Sequence, residues 1–406
     1  IIETEDAENN KAYFEYNNRY RLSKVTDALG NYSEYGYDNY GNLINLKNPL
    51  GKTTNLEYND LNYAIKITEP LGHTREIEYD NNANKIKTTD ANDSVIVFEY
   101  DSLNRLIKKI YPDSSAVVFE YDAAGRKTNE YDSNVSFTYT YDKLGRLISM
   151  TDNNLNKTLN YIYDAAGNII AMNDYNCETT TYLYNDANRC IEITSPGNKI
   201  TQFEYDNNYR LTKIIYPNGA YTEKMYNDAG WLTEIANKKS GGSIISSYAY
   251  TFDNVGNRLT MTDNNYGVTS YEYDNLYRLT KATYPSGKIV DYVYDAAGNR
   301  TQMIINNDTT VNYIYDDENR LLSYSSGAET TVFQYDNNGN MIYKANGGDT
   351  YNLTFDIENR LVKVQKSDTI TDYVYTPFGL RYRKTSGADS VTYLYDNQYN
   401  VIAEYN

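Results

Sequence analysis

Carboxylates are the only reactive side chains that this sequence holds in quantity. Its 55 aspartates and glutamates stand beside one histidine, His73, and two cysteines, Cys177 and Cys190. Two carboxylates about 5–10 Å apart are the machinery of glycoside hydrolysis. At this density some pair occurs at every spacing, so their presence selects no site. Clusters such as Asp336-Asn337-Asn338-Gly339-Asn340 and Asp152-Asn153-Asn154 offer the oxygens that calcium takes. They lack the Asp-x-Asp-x-Asp-Gly order of an EF-hand loop and the Gly-Gly-x-Gly-x-Asp repeat of calcium-binding solenoids. Turn capping accounts for them, and no metal or other cofactor is expected. His73 follows Pro70-Leu71-Gly72 and reads as a solvated loop residue. The cysteines have neither the spacing nor the company of a metal site and read as reduced thiols, with Cys190 in the core. The chain is not expected to be an enzyme.

The composition narrows the partners. A formal charge of −17 repels nucleic-acid phosphates and anionic lipid, so nucleic acid is not an expected partner. No apolar run approaches the ~18 residues that a spanning helix needs, and membrane insertion is not expected either. The residue in excess is tyrosine, with 48 in 406 positions.

These tyrosines are periodic. Anchors at Tyr16, Tyr37, Tyr58, Tyr79, Tyr100, Tyr121, Tyr141, Tyr163, Tyr184, Tyr205, Tyr226, Phe252, Tyr273, Tyr294, Tyr315, Tyr335, Phe355, Tyr375 and Tyr395 follow one another at 20 to 22 residues, apart from one gap of 26. Such self-similarity marks a repeat architecture. Residues 1–406 therefore read as a single array, a piece of a longer protein, rather than as two or three domains.

With the anchor as position zero, position +1 is Asp in fourteen repeats, including Asp38, Asp101, Asp122, Asp142, Asp164, Asp274, Asp295 and Asp336. Its carboxylate can cap a turn by accepting backbone N–H groups two residues on. Position +4 is Gly in nine repeats, among them Gly41, Gly125, Gly145, Gly167, Gly298 and Gly339, and Asn in five. Both residues tolerate positive φ, so the pair predicts a type I turn closed by a left-handed residue. Tyr20, Tyr209, Tyr277, Tyr399 and Ala83 break this rule and predict five strained or differently built turns.

The flanks read as strands. Position −2 is aromatic in fifteen repeats, which alternates with the anchor at period two, and an apolar residue near +6 opens a return strand. A second turn follows, as at Pro49-Leu50-Gly51 or Pro285-Ser286-Gly287. Nineteen repeats of two strands give an all-β antiparallel hairpin meander of roughly 38 strands, too many for a flat sheet. Lys238-Lys239-Ser240-Gly241-Gly242-Ser243 fills the longest gap and reads as a flexible loop. Changes of curvature are expected near 236–248 and after 315, where the distal signal becomes Ser-Gly or Gly-Gly.

The two faces differ. Position −1 is glutamate in Glu15, Glu57, Glu78, Glu99, Glu120, Glu204 and Glu272, but aliphatic or Met in Ile162, Leu183, Met225, Val293, Ile314, Val374 and Leu394. The second set is expected to be covered by another turn of sheet or by a further part of the protein. On the other face lies an aromatic ladder that includes Tyr100, Tyr121, Tyr141, Tyr163, Tyr184, Tyr205, Tyr273, Tyr294, Tyr315, Tyr335 and Tyr395. Buried dry, each unpaired hydroxyl would cost about 1–3 kcal/mol. A hollow, wet interior or hydroxyls linked to neighbours is therefore expected.

These motifs resemble the Rhs/YD-repeat family, named for pairs such as Tyr37-Asp38. Tyr294-Asp295-Ala296-Ala297-Gly298-Asn299-Arg300 and Tyr141-Asp142-Lys143-Leu144-Gly145-Arg146-Leu147 are close copies of its consensus, and the likeness runs over residues 10–406. Tyr375-Thr376-Pro377-Phe378-Gly379-Leu380-Arg381 and the stretch from Tyr393 to Tyr405 are similar to the family's last repeats. The resemblance implies a sheet that spirals into a hollow shell, related to insecticidal toxin-complex cocoons and teneurin shells. It implies a secreted or injected bacterial protein that encloses its own C-terminal toxin or effector domain. The alternative is a cell-surface or wall-associated module that binds a glycan or a surface receptor. The family's Asp-Pro-x-Gly self-cleavage motif does not occur in this sequence.

Overall fold

The computed structural model describes residues 2–406. Thirty-nine strands, from β1 (Ile2–Glu5) to β39 (Val401–Tyr405), form one sheet, and no helix occurs among the described residues. Each strand pairs antiparallel with the next along the chain, from Ile2–Glu5 against Lys11–Tyr16 to Asp389–Tyr395 against Val401–Tyr405. The expected hairpin meander is thus the whole fold. Alternating aromatic and β-branched residues favour this pleated surface, and short turns leave no room for helices.

Inside a repeat the ladder reaches the anchor. Val97 faces Ile110, Glu99 faces Lys108, and after a bulge Tyr100 faces Leu106. Between repeats it stops short: Leu106–Ile110 pairs with the next strand only through Lys108, Lys109 and Ile110. Neighbouring repeats therefore splay apart at the rim that carries the Tyr-Asp turns, the near rim, and close up at the opposite, distal rim.

The turns themselves share one design. In the turn after Tyr100, the Asp101 N–H bonds the Arg105 carbonyl at 3.0 Å and the Asn104 N–H bonds the Asp101 carbonyl at 3.0 Å. This is a type I turn closed by a left-handed fourth residue. The five exceptional turns have the same build: Tyr20, Ala83, Tyr209, Tyr277 and Tyr399 simply adopt φ of 60° to 68°. They are strained, at about 1–2 kcal/mol each, but not rebuilt. The segment at Lys238–Ser243 also departs from expectation. Its extra residues lengthen the strands Leu232–Lys238 and Ile244–Phe252, and a tight turn with a 2.9 Å Lys239 N–H to Ser243 carbonyl bond joins them.

The sheet winds back on itself. The distal turn Glu69–His73 lies against the near turn Asp316–Arg320, Asp90–Ser94 against Asp336–Asn340, and Tyr111–Ser115 against Asp356–Arg360. In each case 23 strands separate the partners. The distal rim of the first winding and the near rim of the second thus form a seam. At its end the sheet stacks face on face, and here lies the apolar core: Val135, Phe137, Tyr139, Met150, Leu159, Tyr161 and Tyr175 against Tyr382 and Leu394.

Elsewhere the wall is one sheet thick. Its accessible surface is 23043 Å², whereas a compact monomer of 46.7 kDa would show ~16,000 Å². The aliphatic −1 residues follow from this thinness. Leu394 is buried and Val374 packs against the core, but Ile162, Leu183, Met225, Val293 and Ile314 remain 42–60% exposed. Windings that meet rim to rim leave their faces free, so no other part of the chain covers these residues.

Candidate functional site

The near rim is where the repeated residues converge. The Asp38, Asp101, Asp122, Asp142, Asp164, Asp274, Asp295 and Asp336 carboxylates each accept the backbone N–H of position +5 at 2.8–3.0 Å. Six of the eight also accept the N–H of position +3. Gly41, Gly125, Gly145, Gly167, Gly298 and Gly339 take φ between 82° and 109°, a range that side chains other than Asn and Asp enter with strain. The side-chain bond from Arg105, followed by the backbone N–H groups, holds Asp101 below the usual carboxylate range, and Arg126 does the same for Asp122.

Fifteen of the nineteen anchors tie their repeat to the one before by a hydroxyl bond. The hydroxyls of Tyr100, Tyr121, Tyr141, Tyr163, Tyr184, Tyr205, Tyr273, Tyr294, Tyr315, Tyr335 and Tyr395 donate to the backbone carbonyl six residues past the preceding anchor, at 2.6–3.1 Å. Tyr58, Tyr79, Tyr226 and Tyr375 do likewise at 2.7–3.2 Å. These carbonyls sit in the splayed wedge, where the sheet ladder has stopped. The phenol fills the wedge and supplies the missing donor, so the ladder hydroxyls are satisfied without water or ligand. Phe252 and Phe355 fill the wedge without the bond. Partial burial raises the pKa of these phenols, as at Tyr121 and Tyr294.

Position +5 adds a second tie. Arg105 donates to the Asp101 carboxylate at 2.6 Å, reaches the Asp122 carbonyl of the next turn at 3.1 Å, and stacks 4.9 Å above the Tyr121 ring. Arg126, Arg146, Arg210 and Arg278 repeat the arrangement. This role was legible as a recurring Arg or Asn after the turn glycine, but not the reach into the following repeat.

The seam uses residues that the periodicity does not mark. His73 Nδ1 lies 2.9 Å from Glu318, Lys52 2.7 Å from Asp317, and Lys109 2.6 Å from Glu358. Asn338 donates to Asp90 at 2.6 Å and accepts the Ala91 N–H at 2.9 Å. His73 is therefore a seam residue rather than a solvated one, because a second winding covers its turn. The Asp336 carboxylate is engaged by the Asn340 groups of its own turn and by the Asn92 amide, and the Asn337 N–H donates to the Asn92 oxygen. No cluster of metal-ligating side chains occurs among the described residues.

At the stacked end, Glu130 is fully buried and bonds Lys127 and the Tyr139 hydroxyl. Asp152 is fully buried as well and accepts the Asn154 and Leu155 N–H groups at 2.9 and 3.0 Å. Desolvation pushes its pKa up, against the hydrogen bonds from the Leu155 and Asn154 N–H groups. The last strands are latched by the Tyr175 hydroxyl on the Tyr395 carbonyl at 3.0 Å, by the Asn397 N–H on the Tyr161 hydroxyl at 2.8 Å, and by Tyr405 on Asn176 at 2.8 Å. No helix among the described residues is long and apolar enough to cross a membrane.

A single-layered, tyrosine-bonded sheet that coils on its own rim is a structural shell wall. Residues 1–134 and 128–223 match the profile of the teneurin YD-shell, and the chain belongs to that family of YD-repeat shells. Among solved structures it is similar to crystal structures of TcdB2-TccC3. Without the hypervariable C-terminal region, that complex gives a TM-score of 0.74 at 15% identity over 96% of this chain and 26% of the other. A second TcdB2-TccC3 structure gives 0.61 at 16% identity, over 96% of this chain and 27% of the other. The Tc holotoxin pore of Photorhabdus luminescens gives 0.62 at 16%, over 95% and 26%. At such identity the likeness is one of fold, and the chain spans about a quarter of the length of those chains. A comparison with curated protein sequences finds no significant match.

Proposed function

We propose that this array is part of the wall of a shell that encloses a toxin or effector domain carried by the same secreted or injected bacterial protein. The observation that carries this reading is the seam, since a sheet that closes rim to rim after 23 strands separates an inside from an outside. The thin wall supports it. The mechanism is topological: a cargo held within the windings is kept from proteases and from premature action until the wall opens. Catalysis by the wall has no part in it. The TccC3 structure that lacks a hypervariable C-terminal region is consistent with a constant wall and a variable cargo. The glycan-binding alternative finds less support, because the ladder hydroxyls that would meet a sugar are already bonded to backbone.

Limited proteolysis of the array joined to its native downstream domain tests the proposal. Enclosure expects the downstream domain to outlast the same domain prepared alone, and to lose that protection when the seam is opened by Lys109→Glu together with Lys52→Glu. Equal digestion rates in all three preparations would refute enclosure.

A further inference from the structure

The aromatic face holds cations between its rings. Leucine is the common residue at +6, as in Leu106, Leu279 and Leu321, but Lys85, Lys127, Arg258, Arg300 and Arg381 replace it in five repeats. Three of these are clamped between the ring at −2 of their own repeat and the ring at −2 of the next. Lys127 lies 5.7 Å from the Phe119 ring and 5.5 Å from Tyr139, Arg300 5.7 Å from Tyr292 and 4.5 Å from Tyr313, and Arg381 5.9 Å from Tyr373 and 4.6 Å from Tyr393.

The chain itself fills one clamp. The Lys127 ammonium bonds Glu130, whose fully buried carboxylate also takes the Tyr139 hydroxyl. Glu130 stands at +9, in register between Phe119 and Phe137. At the Arg300 clamp that place belongs to Met303, opposite Tyr292. Nothing answers the guanidinium there: its Nε is buried and has no hydrogen-bond acceptor among the described residues. The arginines at +5 differ, since Arg278 and Arg320 each bond the Asp of their own turn, at 2.7 and 2.6 Å. Burial raises the phenol pKa of Tyr292, Tyr294 and Tyr315 around the clamp, and the Arg300 charge opposes the rise. In a chain of charge −17, Arg300 is a part-buried cation whose neighbours are rings. A buried donor left unpaired costs about 1–3 kcal/mol.

We infer that the Arg300 clamp binds the carboxylate of an acidic side chain on another polypeptide segment, which enters as Glu130 does at Lys127. The rings hold the guanidinium, and its N–H edge matches a carboxylate bidentately. A glutamate also brings the aliphatic stem that the filled clamp places in register with two aromatic residues, and a sugar acid lacks it. Arg381 forms a second, more exposed copy, with Lys384 in the place of Glu130. The site serves any acidic segment that reaches this face, whether or not the wall encloses a cargo.

The probe is a short peptide of alternating valine and glutamate, compared with its glutamine counterpart, with acetate and with glucuronate. Each is titrated into the full chain while the Arg300 Nε–H resonance is followed, identified by its loss in Arg300→Leu. The glutamate peptide is expected to shift it saturably and to bind about tenfold more tightly than the glutamine peptide, acetate or glucuronate. Binding should vanish in Arg300→Leu, which installs the common +6 residue, and in Met303→Glu, which supplies the carboxylate from within. Gln302→Glu adds the same charge on the opposite face, opposite Val293, and should change affinity by no more than about twofold. No saturable shift, equal affinity for the glutamine peptide, acetate or glucuronate as tight as the glutamate peptide, or equal losses in Met303→Glu and Gln302→Glu would each overturn the inference.

Discussion

The first winding and the last repeats keep the same near rim and differ at the distal one. Up to Tyr131 the distal turns are five-residue loops, several of them capped by their first side chain, as at Asp27–Asn31, Asn48–Lys52 and Asp90–Ser94. After Leu321 they shrink to the two-residue loops between Ser326 and Glu329, Asn346 and Asp349, Lys366 and Thr369, and Ser386 and Asp389. The ladders between repeats lengthen from three rungs, as at Lys108–Ile110, to four, as at Ser323–Ser326. In the first winding, distal turns carry a second winding and present His73, Asp90 and Asn92 to it. In the last repeats nothing lies on them, and the shortest connection suffices. Length alone does not mark the seam, because Tyr216–Ala220, Lys239–Ser243 and Tyr284–Lys288 are also five-residue distal turns and make no bond to another winding among the described residues, while the near rim serves cohesion between repeats everywhere.

That contrast can be broken most strongly where the two windings stack. Leu159→Ala, at a fully buried position, should cost about 2–5 kcal/mol in chemical denaturation, while Ile162→Ala, half exposed on the same strand, should stay within about 0.5 kcal/mol. Similar losses at both sites would mean that the outer face is covered after all.

The seam comes next in size. Lys109→Ala removes one of the two cations on Glu358, which is 17% exposed and keeps Arg360 at 3.0 Å, and should cost about 1 kcal/mol. Hydrogen exchange should accelerate in Tyr111–Ser115 and in Asp356–Arg360, 23 strands away, and not in the two-residue distal loops. Acceleration confined to the first of these turns would argue that the windings do not support each other.

Tyr121→Phe removes a 2.8 Å bond to the Leu106 carbonyl and should cost about 0.5–1.5 kcal/mol. The chain tolerates this change at Phe252 and Phe355, so the overall fold should persist by circular dichroism.

Acid separates the two regions with the smallest effect per group. Asp101 and Asp122 have lowered pKa values, so the stability they add is present above the unfolded value near pH 4 and is lost as pH falls through the folded one. Asp152 has a raised pKa, so the cost of its buried charge, full at neutral pH, is relieved as pH falls through that value. Exchange measured on a descending pH series should therefore show the near-rim turns loosening before the stacked end does. The reverse order would contradict the roles given to these carboxylates.

The repeat, its turn and its strands were legible because they rest on local chemistry. Asp142 caps its own turn and Gly145 supplies its own φ, so a window of seven residues contains cause and effect. The seam was not, because His73 and Glu318 are 245 residues apart and nothing near either one marks the other. Of the two outcomes expected for the exceptional turns, strain is the one found, since the two backbone bonds that close the turn at Tyr20 outweigh the strain of its φ. The side-chain bond from Asn42 to Asn62 lay between these extremes. It recurs at a spacing of 19 or 20 residues five times, and becomes visible only when position +5 is compared with the repeat that follows.

The bond from each anchor hydroxyl has a direction: the donor is always later in the chain than its acceptor, by 14 to 16 residues. A polypeptide leaving the ribosome from its N-terminus has already made the carbonyl that the next tyrosine will seek. Each hairpin can be fastened to finished wall as it emerges, as a mason lays one course on the last, and the arginine ties, which run forward from Arg105 to the Asp122 carbonyl, close within the same repeat-long step. Only the seam must wait, for a further 23 strands, and until then the growing wall stays open along that rim.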